Sequence, residues 1–275
     1  MRKKRVLPGF GLSLGFTMLY MSLFVLIPLS IVFIQTSQLG WKKFAGVITS
    51  ERVLHSYQVS LTTSLVAAIV NAIFGLLIAW VLVRYTFPGK RLLDGLIDLP
   101  FALPTAVAGI TLTTLYAENG WVGKIFSVFY IKVAFTQLGI IIALTFIGLP
   151  FVVRMVQPVL QSIDKEVEEA ASSLGASRFQ IFVKIILPEI FPALLAGFSL
   201  AFARALGEYG SVVFIAGNMP MKTEIAPLMI MTKLEQYDYA GATAVAAVML
   251  IISLLFLLLI NMIQTWSRRH ELKSE

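Results

Sequence analysis

Six long apolar stretches, each about as long as a bilayer is thick, constrain this chain more than anything else in it. They cover residues 10–34, 59–83, 96–116, 135–156, 190–216 and 241–263. A hydrocarbon core of about 30 Å takes roughly 20 apolar residues at ~1.5 Å of helical rise each. The chain is 58% hydrophobic and 13% charged, with mean hydropathy +0.85. A soluble domain averages about 25% charged residues and needs a largely polar skin, so a soluble enzyme is excluded. The reading is an all-α membrane protein, with residues 1–275 forming one transmembrane domain of six helices. The first stretch follows Arg2-Lys3-Lys4-Arg5 but is too long for the ~7–15-residue apolar region of a cleaved signal, and is read as a retained span.

Six spans place both ends on one side. With the N-terminus inside, 14 of the 22 lysines and arginines fall in inside segments and 7 in outside loops, and Arg204 lies within the fifth span. That bias supports N-in, C-in. It also accounts for the net charge of +7, which in a soluble protein would point to nucleic acid. Without cysteine the chain has no disulfides and no thiolate metal site. Pro28, Pro100, Pro104 and Pro150 fall in or near spans, where prolines kink helices whose freed backbone groups neighbours re-satisfy. A sharper alternative is that Pro100 and Pro104 break the third span beside a pathway.

The loop at 157–189 is the most informative segment. Ser162 or Asp164 is placed to cap a helix, with Glu166, Glu168 and Glu169 in its early turns, where the helix dipole favours acids. Val167, Ala170, Ala171 and Leu174 form one apolar stripe. Gly175 is a C-terminal stop, because glycine enters the left-handed region cheaply. Ser177 then caps a second helix with Phe179, Phe182, Val183 and Ile186 on its apolar face, until Pro188 interrupts it. Two readings follow: an amphipathic segment lying on the membrane, or a knob that docks a partner. Three acids within four residues count against the first, since surface helices are usually basic.

Glu169-Ala170-Ala171, Gly175, Ile185 and Leu187-Pro188 match, at the right spacing, the EAA motif of permease subunits of bacterial ABC importers. This segment resembles the coupling helix that fits a groove on the ATPase subunit in that family. The resemblance implies that Glu169, Ala170, Ala171 and Gly175 make that contact.

In the fifth span, within Phe202-Ala-Arg-Ala-Leu-Gly-Glu-Tyr-Gly-Ser211, Arg204 and Glu208 stand at i and i+4, on one side of a helix. A lone charge costs ~2.5–3.5 kcal/mol at a span's centre on insertion scales, and pairing reduces that. The pair is either structural or lines a substrate path. Gly207 and Gly210 allow a bend or a close neighbour.

This stretch, with Ile-Ala-Gly-Asn218 and Leu234-Glu-Gln-Tyr-Asp-Tyr239, is similar to the T-type permeases of sulfate/thiosulfate importers, from the basic N-terminus to Trp266-Ser-Arg-Arg269. That resemblance implies an assembly with a homologous W-type permease, two ATPase subunits holding ATP and Mg, and an external sulfate-binding protein. No phosphate-binding loop occurs in this chain, so it does not hold ATP by that route. His55 and His270 are read as solvated and uninvolved. The outside segment 218–239 is either a contact surface for the binding protein or a solvated connector. Two alternatives remain: a molybdate-type oxyanion permease, and a proton-coupled secondary transporter using Glu208.

Overall fold

The computed structural model describes residues 10–271, with side chains through Gln264, and regular structure among them is helical throughout. Arg2, Lys3, Lys4, Arg5 and Lys273, and the side chains of Trp266, Arg268, Arg269 and His270, lie outside the described residues. Among the described residues, five helices are long and apolar enough to cross a membrane: Phe10–Gln38, Glu51–Arg84, Gln137–Ser162, Arg178–Leu206 and one beginning at Tyr239. Glu51–Arg84 starts eight residues before the predicted span, and Gln137–Ser162 runs six beyond it.

Gln137–Ser162 is the central helix, with Val152, Val153, Val156 and Leu160 fully buried. Without water to drive helix association in lipid, close backbone approach at small residues takes over. Val152 is wedged between Gly75 and Gly197, where an added Cβ would lie 2.7 and 2.8 Å from its atoms. One turn away, Gly148 faces Asn71 and Ala201. The pairs 71/148 and 75/152 run in the same sense, while 201/148 and 197/152 run oppositely. Helix Glu51–Arg84 is therefore parallel to the central helix, and Arg178–Leu206 is antiparallel to both, as alternate spans require.

Two predicted spans are corrected. Segment 96–116 is not one helix: Lys90–Ile97, Leu99–Ala102 and Thr105–Tyr116 follow one another, with Leu103 and Pro104 extended. Proline removes a donor and pushes the residue before it out of the helical region, so Pro100 starts a short turn and Pro104 ends the chain's helical run. The 12 residues of Thr105–Tyr116 reach about 18 Å, short of a ~30 Å core. The fifth stretch also stops early, at Leu206, and resumes as Val212–Ala216.

Pro188 does not interrupt its helix. A π-helical turn at Phe182–Ile186 precedes it, with Leu187 N–H donating to Phe182 O. Pro28 sits the same way behind Ser22–Leu26, where Ile27 N–H donates to Ser22 O. Proline clashes with the carbonyl four residues back, and a turn widened to i→i−5 relieves that contact while the helix continues.

Candidate functional site

The 157–189 loop folds as two helices around an elbow. Lys165–Ser173 starts after Asp164, which holds the N-cap position in extended conformation without a side-chain bond. Ser162 instead donates its hydroxyl to Val159 O. Gly175 has φ +85°, which a Cβ disfavours. Gly175 N–H donates to Ser172 O and Ala176 N–H to Ala171 O, the paired bonds of a Schellman ending. The next helix opens on a capping box: Ser177 Oγ accepts from Gln180 N–H, and Gln180 Oε1 accepts from Ser177 N–H.

The inward face differs from the predicted one. Ile181 and Ile186 are buried, joined by half-buried Phe182 and Ile185, whereas Phe179 is 75% exposed and Val183 lies outside. A π turn advances each side chain by less angle than an α turn, so a 3.6-residue stripe drifts off the core. On the first helix Val167 and Leu174 are exposed, Leu174 at 89%. Of the motif residues, Glu169, Ala170, Gly175 and Pro188 face outward, while Ala171, Ile185 and Leu187 are half-buried against the core cluster of Leu160, Ile181 and Ile190.

At the far end of helix Arg178–Leu206, the helix stops just short of Glu208. Gly207 occupies the C-cap with φ −93° and open space around its α-carbon, so it marks a bend that does not demand glycine. Arg204 Nη1 and Glu208 Oε2 are 2.6 Å apart, with the arginine side chain 36% exposed and the glutamate 2%. Glu208 Oε1 accepts from Ser211 N–H at 2.8 Å and Ser211 Oγ at 3.0 Å. The carboxylate thus joins the arginine to the turn below it. Helix Thr105–Tyr116 grips the same turn: a Cβ on Gly109 would lie 2.5 Å from Ser211 O, and one on Gly210 would lie 2.2 Å from Thr105 Oγ1. The break in the third segment and the break in the fifth are in contact.

Several residues that bore only on charge in the sequence are structural. All five N–H groups of Arg154 are used: Nε and Nη2 donate to Asp98 at 2.8 and 2.6 Å, Nη1 to Asp94 and Gln157, and Nη2 to Asp94 O. Arg52 makes a two-pronged pair with Glu224, which is 1% exposed. Arg84 pairs with Glu168. Each of these ion pairs joins residues at least 56 positions apart, so no local pattern announces it. His55 lies within a helix, half-buried, and its Nδ1 is buried without a hydrogen bond. Segment 218–239 is no solvated connector: it holds helix Ala226–Glu235 with Leu228 and Met229 buried, Glu224 is spent on Arg52, and Lys233 pairs with Asp238. Lysine and the Gly241 N–H hold the Asp238 carboxyl below its ordinary value.

Apolar helices with broken segments meeting inside the bundle, and a rigid elbow outside it, define a membrane-embedded transport subunit. Residues 71–271 match the family described as binding-protein-dependent transport system inner membrane component, and the chain belongs to it. It is 53% identical over 262 residues to the sulfate transport system permease protein CysT of Escherichia coli (strain K12), covering 95% of both chains. It is 49% identical over 254 residues to that of Synechocystis sp., covering 92% of this chain and 89% of the relative. A bacterial ABC transporter involved in the import of the acidic polysaccharide alginate has the same fold, with TM-score 0.75 at 17% identity and 95% and 96% of the two chains covered. The MetNI methionine ABC transporter superposes with TM-score 0.60 at 18% identity, over 80% of this chain and 99% of that one.

Proposed function

We propose that this chain is one of two permease subunits of an ATP-driven importer that carries sulfate or thiosulfate across the cytoplasmic membrane. One observation carries the reading: a single continuous helix, Arg178–Leu206, leads from the exposed elbow to the break at Arg204 and Glu208. Its 29 residues extend about 43 Å, so force applied at the elbow reaches the membrane interior through one rigid element. The names of relatives at about half identity over nearly the whole chain supply the substrate class.

In this reading residues 1–275 form one permease domain, crossing the membrane six times with the discontinuous 96–116 segment as the third crossing and both ends in the cytoplasm. The elbow docks on a cytoplasmic ATPase subunit through Glu169, Ala170 and Gly175, with Val167, Leu174 and Phe179 supplying exposed apolar area. Ala171, Ile185, Leu187 and Pro188 seat the elbow on the bundle. ATP and Mg are held by two such ATPase subunits, and a W-type permease completes the pair. A loaded sulfate-binding protein docks outside. Closure of the ATPase dimer draws the elbows together and reorients the helices around the 207–211 turn.

Arg204, one-third exposed beside Gly207, faces the path and offers a transient donor to a passing oxyanion, while Glu208 holds it at the turn. A tight intramembrane anion site would slow release, and a guanidinium already paired avoids that. Glu208 is engaged by Arg204 and Ser211 on both oxygens, the arrangement of a turn-fixing carboxylate more than of a proton carrier.

The test is reconstitution of the permeases with candidate ATPase subunits and loaded binding protein, followed by labelled sulfate uptake. ATP-dependent uptake that survives a protonophore is expected. Failure to recover an ATPase subunit that depends on residues 169–175 would sink the reading, and collapse of uptake by the protonophore would favour the secondary transporter.

A further inference from the structure

The elbow's first helix, Lys165–Ser173, turns most of its surface outward, and among the described residues only one side chain on it makes a charged contact with a membrane-spanning helix. Glu168 and Ala171, three residues apart and so on one face, point inward, while Val167, Glu169 and Ala170 point out. Resting on the function proposed above, we propose that Arg84 and Glu168 form the joint through which movement of the elbow is passed to the membrane helices. Glu168 is then a positioning residue with a role separate from that of its neighbour Glu169.

Arg84 is the last residue of helix Glu51–Arg84, and its side chain is 11% exposed against 26% for Glu168. Arg84 Nε and Nη2 and Glu168 Oε1 are buried atoms with no hydrogen-bond partner beyond this ion pair. The guanidinium carbon stands 5.7 Å from the centroid of the Trp80 ring, within cation–π range. Trp80 meets Phe182 edge-on at 5.5 Å, and Phe182 opens the π turn at the base of the long helix. Glu168, Arg84, Trp80 and Phe182 therefore connect the elbow, helix Glu51–Arg84 and helix Arg178–Leu206 in one contact chain.

A partly buried ion pair is weak evidence for stability, because desolvation consumes most of its attraction, and removing one partner strands the other. Attachment of the elbow is already provided by Ile163, Ala171 and Ala176, which pack on the core cluster. What the charge pair adds is direction: it fixes where the first helix sits relative to the end of helix Glu51–Arg84. Losing it should leave the ATPase subunits bound and active but pass less of their motion to the permease.

The experiment measures sulfate imported per ATP hydrolysed by the whole complex in proteoliposomes with loaded binding protein. It compares wild type, Arg84→Gln, Glu168→Gln and the exchanged pair Arg84→Glu/Glu168→Arg. The single variants are expected to keep their ATPase subunits and stimulated hydrolysis while sulfate per ATP falls about 2- to 30-fold, the span of typical coupling mutations. The exchanged pair is expected to recover most of that loss, which a merely structural role for either residue would not produce. Should a stranded charge prevent accumulation, Arg84→Met/Glu168→Leu strands neither, and the same fall is expected from it. Single variants or the apolar pair coupled like wild type would overturn the proposal. So would loss of the ATPase subunit on Glu168→Gln alone, which makes Glu168 a partner contact, or an exchanged pair no better than the singles. A wild-type complex without ATP-dependent uptake removes the proposed function and this joint with it, whereas coupled variants beside a coupled wild type remove the joint alone.

Discussion

Gly109→Ala tests how firmly helix Thr105–Tyr116 is held against the 207–211 turn. A Cβ at position 109 would lie 2.5 Å from Ser211 O, 2.7 Å from its Cα and 2.9 Å from its carbonyl carbon, where ordinary contact begins at 3.4 Å. All three obstacles are backbone, so no side-chain rotation relieves them, and the two segments must part by about 1 Å. Overpacking of this kind costs roughly 1–3 kcal/mol. Alanine also gains about 1 kcal/mol in helix propensity over glycine, which masks part of the penalty. Gly46→Ala calibrates that gain, since Gly46 is helical with nothing within 4 Å of an added Cβ. The difference between the two variants isolates the steric cost. Titration with SDS in mixed micelles, followed through the four tryptophans, should show Gly109→Ala less stable than Gly46→Ala by about 1–3 kcal/mol, together with slower sulfate uptake. Equal midpoints for the two variants would refute the claim that the two helix breaks are in backbone contact.

Gly210→Ala should cost less than Gly109→Ala in the same titration, because its nearest obstacle is the Thr105 hydroxyl, which can turn aside. Arg204→Ala leaves Glu208 buried without its cation; the expected loss is about 3 kcal/mol, at the lower end for a broken buried pair because Arg204 is partly exposed, and adding Glu208→Gln should recover most of it. Collapse of stability with normal transport by the residual complex would make the pair structural and remove it from the path. Ser177→Ala removes one half of the capping box and should cost about 1 kcal/mol, read as faster amide exchange at Gln180 and weaker recovery of the ATPase subunit. Asp238, held below the ordinary carboxylate value by Lys233 and the Gly241 N–H, contributes stability that is present above the unfolded value and is lost as pH falls through the lower folded one. Amide exchange at Gly241 should therefore accelerate below about pH 4, and Asp238→Asn should abolish that dependence.

What was legible in the sequence divides by the range of the interaction. The elbow at Gly175 and the cap at Ser177 are local devices within a few residues, so pattern alone located them to the residue. Four of the six apolar stretches were legible as single helices for the same reason, whereas the third and the fifth are divided. Pro104 broke its segment where the rule for prolines places a break, while Pro28 and Pro188 did not, because a π turn one step earlier made room for the ring. Nothing in the local sequence distinguishes those two outcomes. The face of the second elbow helix was misread by the same π turn, which shifts the register on which helical stripes depend.

The charges show what a topology count leaves out. Arg52, Arg84 and Arg154 each entered the sequence reading as a vote on which side of the membrane a segment lies. In the fold each fastens an acid from a distant segment, Glu224, Glu168, and Asp94 with Asp98, Arg52 and Arg84 from the ends of helix Glu51–Arg84 and Arg154 from within helix Gln137–Ser162. The two roles share a cause. A charge near a helix end can reach the interface and avoids most of the cost it would meet at mid-membrane, so basic residues collect there and so do the acids they hold. Arg204 differs: it stands in the last turn of helix Arg178–Leu206, at a helix end that the 207–211 break leaves within the fifth apolar stretch. Its acid sits one turn on, at a break where the backbone itself supplies the further hydrogen bonds that a carboxylate needs away from water. A buried pair in such a place requires the break, and this links the two features on which the proposed transport path depends.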